Sequence, residues 1–231
     1  MKMQAFVMTM APNSSGSSTR RCNKPLLNLQ IPAGSGDDPL LLDALLHNNL
    51  SSVELDASNL NDCDGCKLKV RGVNSRIIVL PPPVLILTLQ RFLNDGSKAN
   101  NRLFFPRRLY LTPFVMFTAA QIDAARAAGA TIVRQVVHGK DVESVELYYT
   151  LGGMVQHEGT RAGGHYWAFG RSLDPIAAAG ADDWRKYNDP FVTRCDYADV
   201  EGGQAYMLRY DIEPQLQRIL DAIKNAPIVV D

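Results

Sequence analysis

The hydrophobic positions of this chain recur at two different spacings, and the places where one spacing gives way to the other mark its elements. Val84 to Phe92, "VLILTLQRF", alternates bulky and branched residues between a proline stop and the turn-forming "NDGS" at 94 to 97, which predicts a buried strand. "LLNLQIP" after Pro25 reads as a further strand, and "PLLLDALLHNNL" over 39 to 50 has the spacing of a short helix. "TAAQIDAARAAG", starting at Thr118, carries the Thr-x-x-Gln capping pattern and stops at a glycine, so it predicts a second helix. From Ser144 the period becomes two: "SVELYYTLGGMV" and "HYWAFGRS" are separated by "EGTRAGG", the signal of a hairpin with a long loop. "WRKYND" and "AYMLRYDI" are strand-like again, and "PQLQRILDAIKNA" places Leu216, Ile219, Leu220 and Ile223 on one helical face for docking onto the body or a partner.

The pattern therefore predicts an α+β fold, mainly antiparallel sheet with a few helices and no internal repeat. A Ser-rich, then basic stretch gives a flexible segment over 1–24, a folded domain follows over 25–212, and a terminal helical segment occupies 213–231. An alanine-rich insertion interrupts the body at 176 to 181.

Composition narrows the partners. At 231 residues and 46% hydrophobic, the chain has enough apolar material for one good-sized core, which excludes global disorder. Its 24 basic and 24 acidic side chains cancel, so no broad field draws nucleic acid or an anionic membrane. The longest apolar run, 77 to 89, is broken by three prolines and is too short to span a bilayer. The amino end lacks a secretory h-region with a cleavage site, and of four cysteines only Cys63 and Cys66 are closely spaced, which predicts a reducing cytosolic or nuclear compartment.

Chemistry concentrates in "GTRAGGHYWAFG", 159 to 170. Gly163 and Gly164 precede His165 and allow another backbone to approach closely, while "WRKYND" downstream supplies Asn188 and Asp189, each able to accept a hydrogen bond from an imidazole Nδ1 proton and fix its tautomer. A base and its orienting group would look like this.

Four blocks, "LPPPVLILTLQRF" (80–92), "YYTLGGMVQHEGTRAGGHYWAFGR" (148–171), "WRKYNDPFVT" (184–193) and "AYMLRY" (205–210), resemble in order and spacing the carboxyl-terminal half of ubiquitin-specific proteases. The resemblance implies a papain-like cysteine protease fold of thumb, palm and fingers, which cleaves the isopeptide bond after the carboxyl-terminal Gly-Gly of ubiquitin. By this resemblance His165 is the general base, Asn188 holds the third triad position and Asp189 supports it. Gly163, Gly164 and Tyr166 would line the slot for a tail without side chains. His157 is expected to anchor the hairpin loop by hydrogen bonding, Tyr149 and Trp167 to pack, and Arg91 and Phe92 to support the ubiquitin-facing surface. Glu54 is expected to be a solvated surface charge.

The resemblance lacks one part. No Gly-Asn-Thr-Cys type of string, which carries the family's nucleophile, occurs in the 231 residues, so the thumb is expected to be absent. Cys22 precedes His165 but lies in the Ser-rich segment, without a helix start to orient it, and Cys195 is expected to pack as a small apolar residue. "CDGC", with Cys63 and Cys66, matches the second half of the family's zinc-binding fingers; the other half is missing, and only Cys22 or His47 offer further ligands. No cofactor is therefore expected, the pair being read as the remnant of a zinc site, with zinc bound at Cys63 and Cys66 as the alternative. The function implied is a thiol-dependent deubiquitinase with ubiquitin as partner, from which the nucleophile half is absent either through an incomplete gene model or because a thumb-bearing chain supplies it. The alternative is a non-catalytic ubiquitin-binding module or decoy.

Overall fold

The computed structural model of the chain describes residues 26–32, 38–50, 52–54, 60–62, 67–70, 73–137, 140–172 and 183–227. The predicted linker, the alanine-rich insertion, Cys22, Cys63 and Cys66 lie outside the described residues.

An eight-stranded sheet forms the frame. Its strands are β1 (Leu26–Gln30), β2 (Val84–Gln90), β3 (Arg108–Tyr110), β4 (Tyr148–Thr160), β5 (Gly163–Arg171), β6 (Trp184–Asn188), β7 (Phe191–Cys195) and β8 (Ala205–Ile212). They lie in the order β1-β2-β8-β4-β5-β6-β7, with β3 also paired to β4. The β1–β2 pair is parallel and every other pair is antiparallel. The sheet bears out the predicted α+β class.

Period two decides which face of each strand is buried. Leu85, Leu87 and Leu89 of β2 and Leu208 and Tyr210 of β8 point into one core with Tyr149 and Leu151 of β4. The helices α1 (Leu42–Leu50), α2 (Ala119–Ala127) and α3 (Gln217–Asn225) send Leu45, Leu46, Ile122, Ile219, Leu220 and Ile223 into the same cluster. The expected docking of the terminal helix is thus fulfilled within the chain, where α3 packs on α2.

Local chemistry explains where the elements start. Thr118 caps α2 in both directions: the Gln121 N–H donates to its Oγ1 at 3.3 Å, and its own N–H donates to Gln121 Oε1 at 2.9 Å. Gly129, at φ +84°, ends that helix. Helix α1 starts later than the spacing predicts, because Leu40 and Leu41 pair in parallel with Leu103 and Phe104 instead.

Two further expectations are corrected. The segment from Ser144 is not continuous: Lys140–Val145 pairs with Ile132–Val137 as a separate hairpin, and β4 begins only at Tyr148. Nor is "EGTRAGG" a long loop, since Thr160 pairs with Gly163 and leaves Arg161 and Ala162 as a two-residue turn. Glycine content here serves pairing. At Gly159, φ is +115°, and a Cβ would meet the Gly163 carbonyl oxygen at 2.6 Å.

Candidate functional site

His165 stands near the free end of the β4–β5 hairpin, beyond the core. Strand alternation puts His165, Trp167 and Phe169 on one face of β5 and Tyr166 on the other. On β6, Lys186 pairs with Phe169, so Lys186 and Asn188 share the His165 face.

Asn188 and His165 meet at 2.5 Å, between Asn188 Oδ1 and His165 Nε2. An amide oxygen only accepts, so the imidazole donates from Nε2, and in the neutral ring the lone pair is left on Nδ1. The sequence points to Nδ1 as the donor; the structure presents the other nitrogen, because the ring reaches Asn188 by its far edge. Among the described residues nothing hydrogen-bonds Nδ1. That nitrogen is the one positioned to take a proton from outside the chain.

Asp189 follows at the turn, with its carboxylate 3.9 Å from the same Nε2. Asn188 pairs with Phe191, so Asp189 and Pro190 alone make the turn between β6 and β7. Asp189 takes φ +51° there, a left-handed conformation that favours glycine. A second acceptor beside the ring is thereby retained at a backbone cost.

The two glycines divide in role. A Cβ on Gly163 would meet nothing within 4 Å, which leaves that position open. At Gly164 the chain itself takes up the room, for a Cβ would lie 2.3 Å from His157 Nε2 and 2.3 Å from the Glu158 carbonyl oxygen. The expectation that both glycines leave space for a substrate is therefore corrected at Gly164, where close packing of β4 on β5 already demands it.

His157 of β4 is buried on the sheet face opposite His165, the face it shares with its pairing partner Tyr166. Its ring lies 4.4 Å from Tyr166, 5.5 Å from Phe92 and 5.8 Å from Tyr206, between centroids. Burial, with a smaller contribution from the Lys98 charge, holds its pKa below the ordinary histidine value. The expected anchoring through side-chain hydrogen bonds gives way to ring packing: among the described residues Nδ1 has no partner, and it is the backbone oxygen of His157 that accepts from Lys98 Nζ at 2.7 Å. Tyr166, 49% exposed, forms the outer wall of this aromatic cluster and not of the His165 face.

Sequence reading missed Tyr206 and Lys98. A register shift where β8 passes Val155 and Gln156 hides Tyr206 from simple alternation, and Lys98, bridged to Phe92 just after the 94–97 turn, has no pattern to single it out. Arg91 is 1% exposed, and it donates to the carbonyls of Ala99, Asn101 and Ala205, while burial lowers its pKa to about 10. Phe92 packs in the aromatic cluster. Tyr149 is fully buried and donates to the Pro82 carbonyl at 2.6 Å. Cys195 packs against the core as expected, and burial, with Asp199 and Asp196 nearby, raises its thiol pKa.

Nothing among the described residues gathers three or more His, Cys, Asp or Glu side chains into a metal site. His47 lies 3.6 Å from Asp43 and packs on Phe114. Glu54 lies in the short strand Ser52–Glu54. None of the described helices is long and apolar enough to cross a membrane.

Comparison with known proteins places this geometry. Ubiquitin carboxyl-terminal hydrolase 2 of Gallus gallus is 28% identical over 193 residues, covering 84% of this chain and 46% of that protein. Ubiquitin carboxyl-terminal hydrolase 9X of Mus musculus is 29% identical over 157 residues, 64% of this chain and 6% of the relative. Among solved structures, the SAGA Ubp8/Sgf11/Sus1/Sgf73 DUB module bound to ubiquitin aldehyde aligns with a TM-score of 0.64 at 25% identity, covering 91% of this chain and 41% of that one. The chain thus spans less than half the length of these relatives. With the family model for ubiquitin carboxyl-terminal hydrolase matching residues 14–210, and a fold shared with a solved deubiquitinating module, the chain belongs to the ubiquitin carboxyl-terminal hydrolase family.

Proposed function

We propose that this chain is the histidine-bearing part of a thiol-dependent deubiquitinase, which hydrolyses the isopeptide bond after the carboxyl-terminal Gly-Gly of ubiquitin. One observation carries the reading: the 2.5 Å contact of His165 Nε2 with Asn188 Oδ1, which orients the ring and leaves Nδ1 as its base. The thiol comes from a thumb-bearing segment outside this chain. His165 Nδ1 removes the thiol proton, the thiolate attacks the terminal glycine carbonyl carbon, and the amine leaves with a proton returned by the imidazolium. Water then cleaves the thioester. Asp189 favours the transient imidazolium by its charge. Gly163 gives room for the tail, and Tyr166 with Phe92 and Tyr206 offers it apolar contact.

The test is titration of this chain into labelled ubiquitin, followed by NMR. Shifts along the ubiquitin carboxyl-terminal tail, lost in His165→Ala and Asn188→Ala, support the reading. An unperturbed tail removes both the catalytic role and a purely ubiquitin-binding one. Turnover of a fluorogenic ubiquitin substrate by the chain alone, abolished by His165→Ala, would instead place the nucleophile within these residues.

A further inference from the structure

One row of residues crosses the sheet on the face turned away from the core. Strand pairing sets Arg209 of β8 opposite Gly153 of β4, Gly153 opposite Gly170 of β5, Gly170 opposite Arg185 of β6, and Arg185 opposite Arg194 of β7. The glycines thus lie between arginines. The next row on that face, nearer the hairpin tip, is Met207, Val155, Ala168, Tyr187 and Val192, paired in the same strand order. These side chains are half-buried or exposed, and among the described residues none belongs to the core cluster or packs against it.

Together the rows form a shallow saddle. The missing side chains of Gly153 and Gly170 make its floor, Met207 and Tyr187 stand beside it and Arg209 lies at the rim, around a cavity of about 210 Å³. That is below the ~300 Å³ at which small-molecule sites begin, so the space suits one side chain of a larger partner.

Charge decides which partner. Asp183 accepts from Arg185 Nη2 at 3.2 Å and from Arg194 Nε at 3.0 Å, and Asp211 accepts from Arg209 Nη2 at 2.8 Å. The carboxylates are recessed, Asp183 being 6% and Asp211 22% exposed, whereas Arg185, Arg194 and Arg209 are 47%, 78% and 44% exposed. What this face presents to the outside is therefore positive. Like charges directly opposite one another in a ladder are destabilising, and Asp183 offsets only one of the two it holds. We propose that this face docks an acidic segment of a partner protein, which seats an apolar side chain in the glycine saddle and lays carboxylates on the arginines at either flank. From Arg209 to Arg194 the surface crosses four strand spacings, about 19 Å, the reach of about six residues of extended chain. His165 stands on the opposite face, so the inference does not rest on its being a base.

The experiment titrates the isotope-labelled full chain, followed by NMR, with a synthetic peptide of about eight residues in which glutamates flank a central leucine. Amide shifts at Gly153, Ala168, Gly170 and Tyr187 should saturate below about 1 mM. Arg185→Gln and Arg194→Gln should each weaken binding about threefold to tenfold, and added salt should weaken it further. Met207→Ser, or serine in place of the peptide leucine, should weaken it at least about threefold. Lys186→Gln, on the opposite face, should leave it unchanged. Dispersed amide spectra confirm that each variant is folded. Absence of saturable shifts, equal binding of a twin peptide with lysine for glutamate, or unchanged affinity in both arginine variants would overturn the proposal. Ubiquitin added in place of the peptide should leave Gly153 and Gly170 unmoved; if it shifts them, the face belongs to ubiquitin and the acidic partner is refuted.

Discussion

The ring of His157 fills the place beside Gly164 where any other residue would carry its Cβ. Because the Glu158 carbonyl crowds the same point, a methyl group there forces backbone to move as well as a side chain. Gly164→Ala should destabilise the chain by about 1 to 3 kcal/mol, as overpacking does. Gly163→Ala, in open space, should stay within about 0.5 kcal/mol. Urea denaturation of both variants checks the contrast, and equal midpoints would show that the hairpin yields freely at 164.

At the next turn the strain is conformational. Asp189 holds φ +51° between Asn188 and Pro190, so Asp189→Gly should raise thermal stability slightly, by up to about 1 kcal/mol. Asp189→Val, β-branched in the same conformation, should lower it. Differential scanning calorimetry decides between them. A glycine variant less stable than the natural chain would mean that the carboxylate contributes more than the backbone costs.

A third expectation concerns pH. Burial depresses the His157 pKa below its ordinary value near 6.5, so the unfolded chain binds a proton that the folded chain refuses. The resulting stability is complete above pH 6.5 and falls as pH drops through 6.5 toward the folded value. Asp183, beside Arg194 and Arg185, and Glu213, beside Arg108, also have lowered pKa values, and their contribution is lost at lower pH, below ordinary values of 3.8 and 4.5. Urea midpoints should therefore fall between pH 7.5 and 5.5, and His157→Phe should flatten that interval but not the acid limb. An equal slope in both proteins would contradict the buried neutral ring.

Core and site should respond on different scales. Leu87 is fully buried in β2, and Leu87→Ala should cost about 2 to 5 kcal/mol. Asn188→Ala removes one hydrogen bond near the surface and should cost no more than about 1.5 kcal/mol. Chemical denaturation of the two variants measures the difference.

What could be read in advance follows from how local each signal is. The α2 cap was legible because both of its hydrogen bonds join Thr118 to Gln121, three residues on. Strand β2 was legible because its burial repeats every second residue from Leu85 to Leu89. The β4–β5 turn was not: Gly159, Gly163 and Gly164 look like a loop by composition, yet the missing side chains at Gly159 and Gly164 are what lets two strands pair to their ends. Strand β7 escaped because its residues, Phe191 to Val192 and on to Arg194, are exposed and acquire order only by pairing with β6. For the site, the residue types at 165 and 188 were readable from motif and spacing. Which ring nitrogen meets Asn188, and which glycine is filled by His157, depend on side-chain packing across strands that one-dimensional spacing does not encode.

Residues 158 to 166, at the tip of the β4–β5 hairpin, are all solvent-exposed, while the packed interior that holds the sheet together ends short of them. The proposed chemistry and most of the packing are thereby assigned to different atoms. Descendants of this sequence could exchange the imidazole or the amide, gain or silence a reaction, and still inherit an intact scaffold.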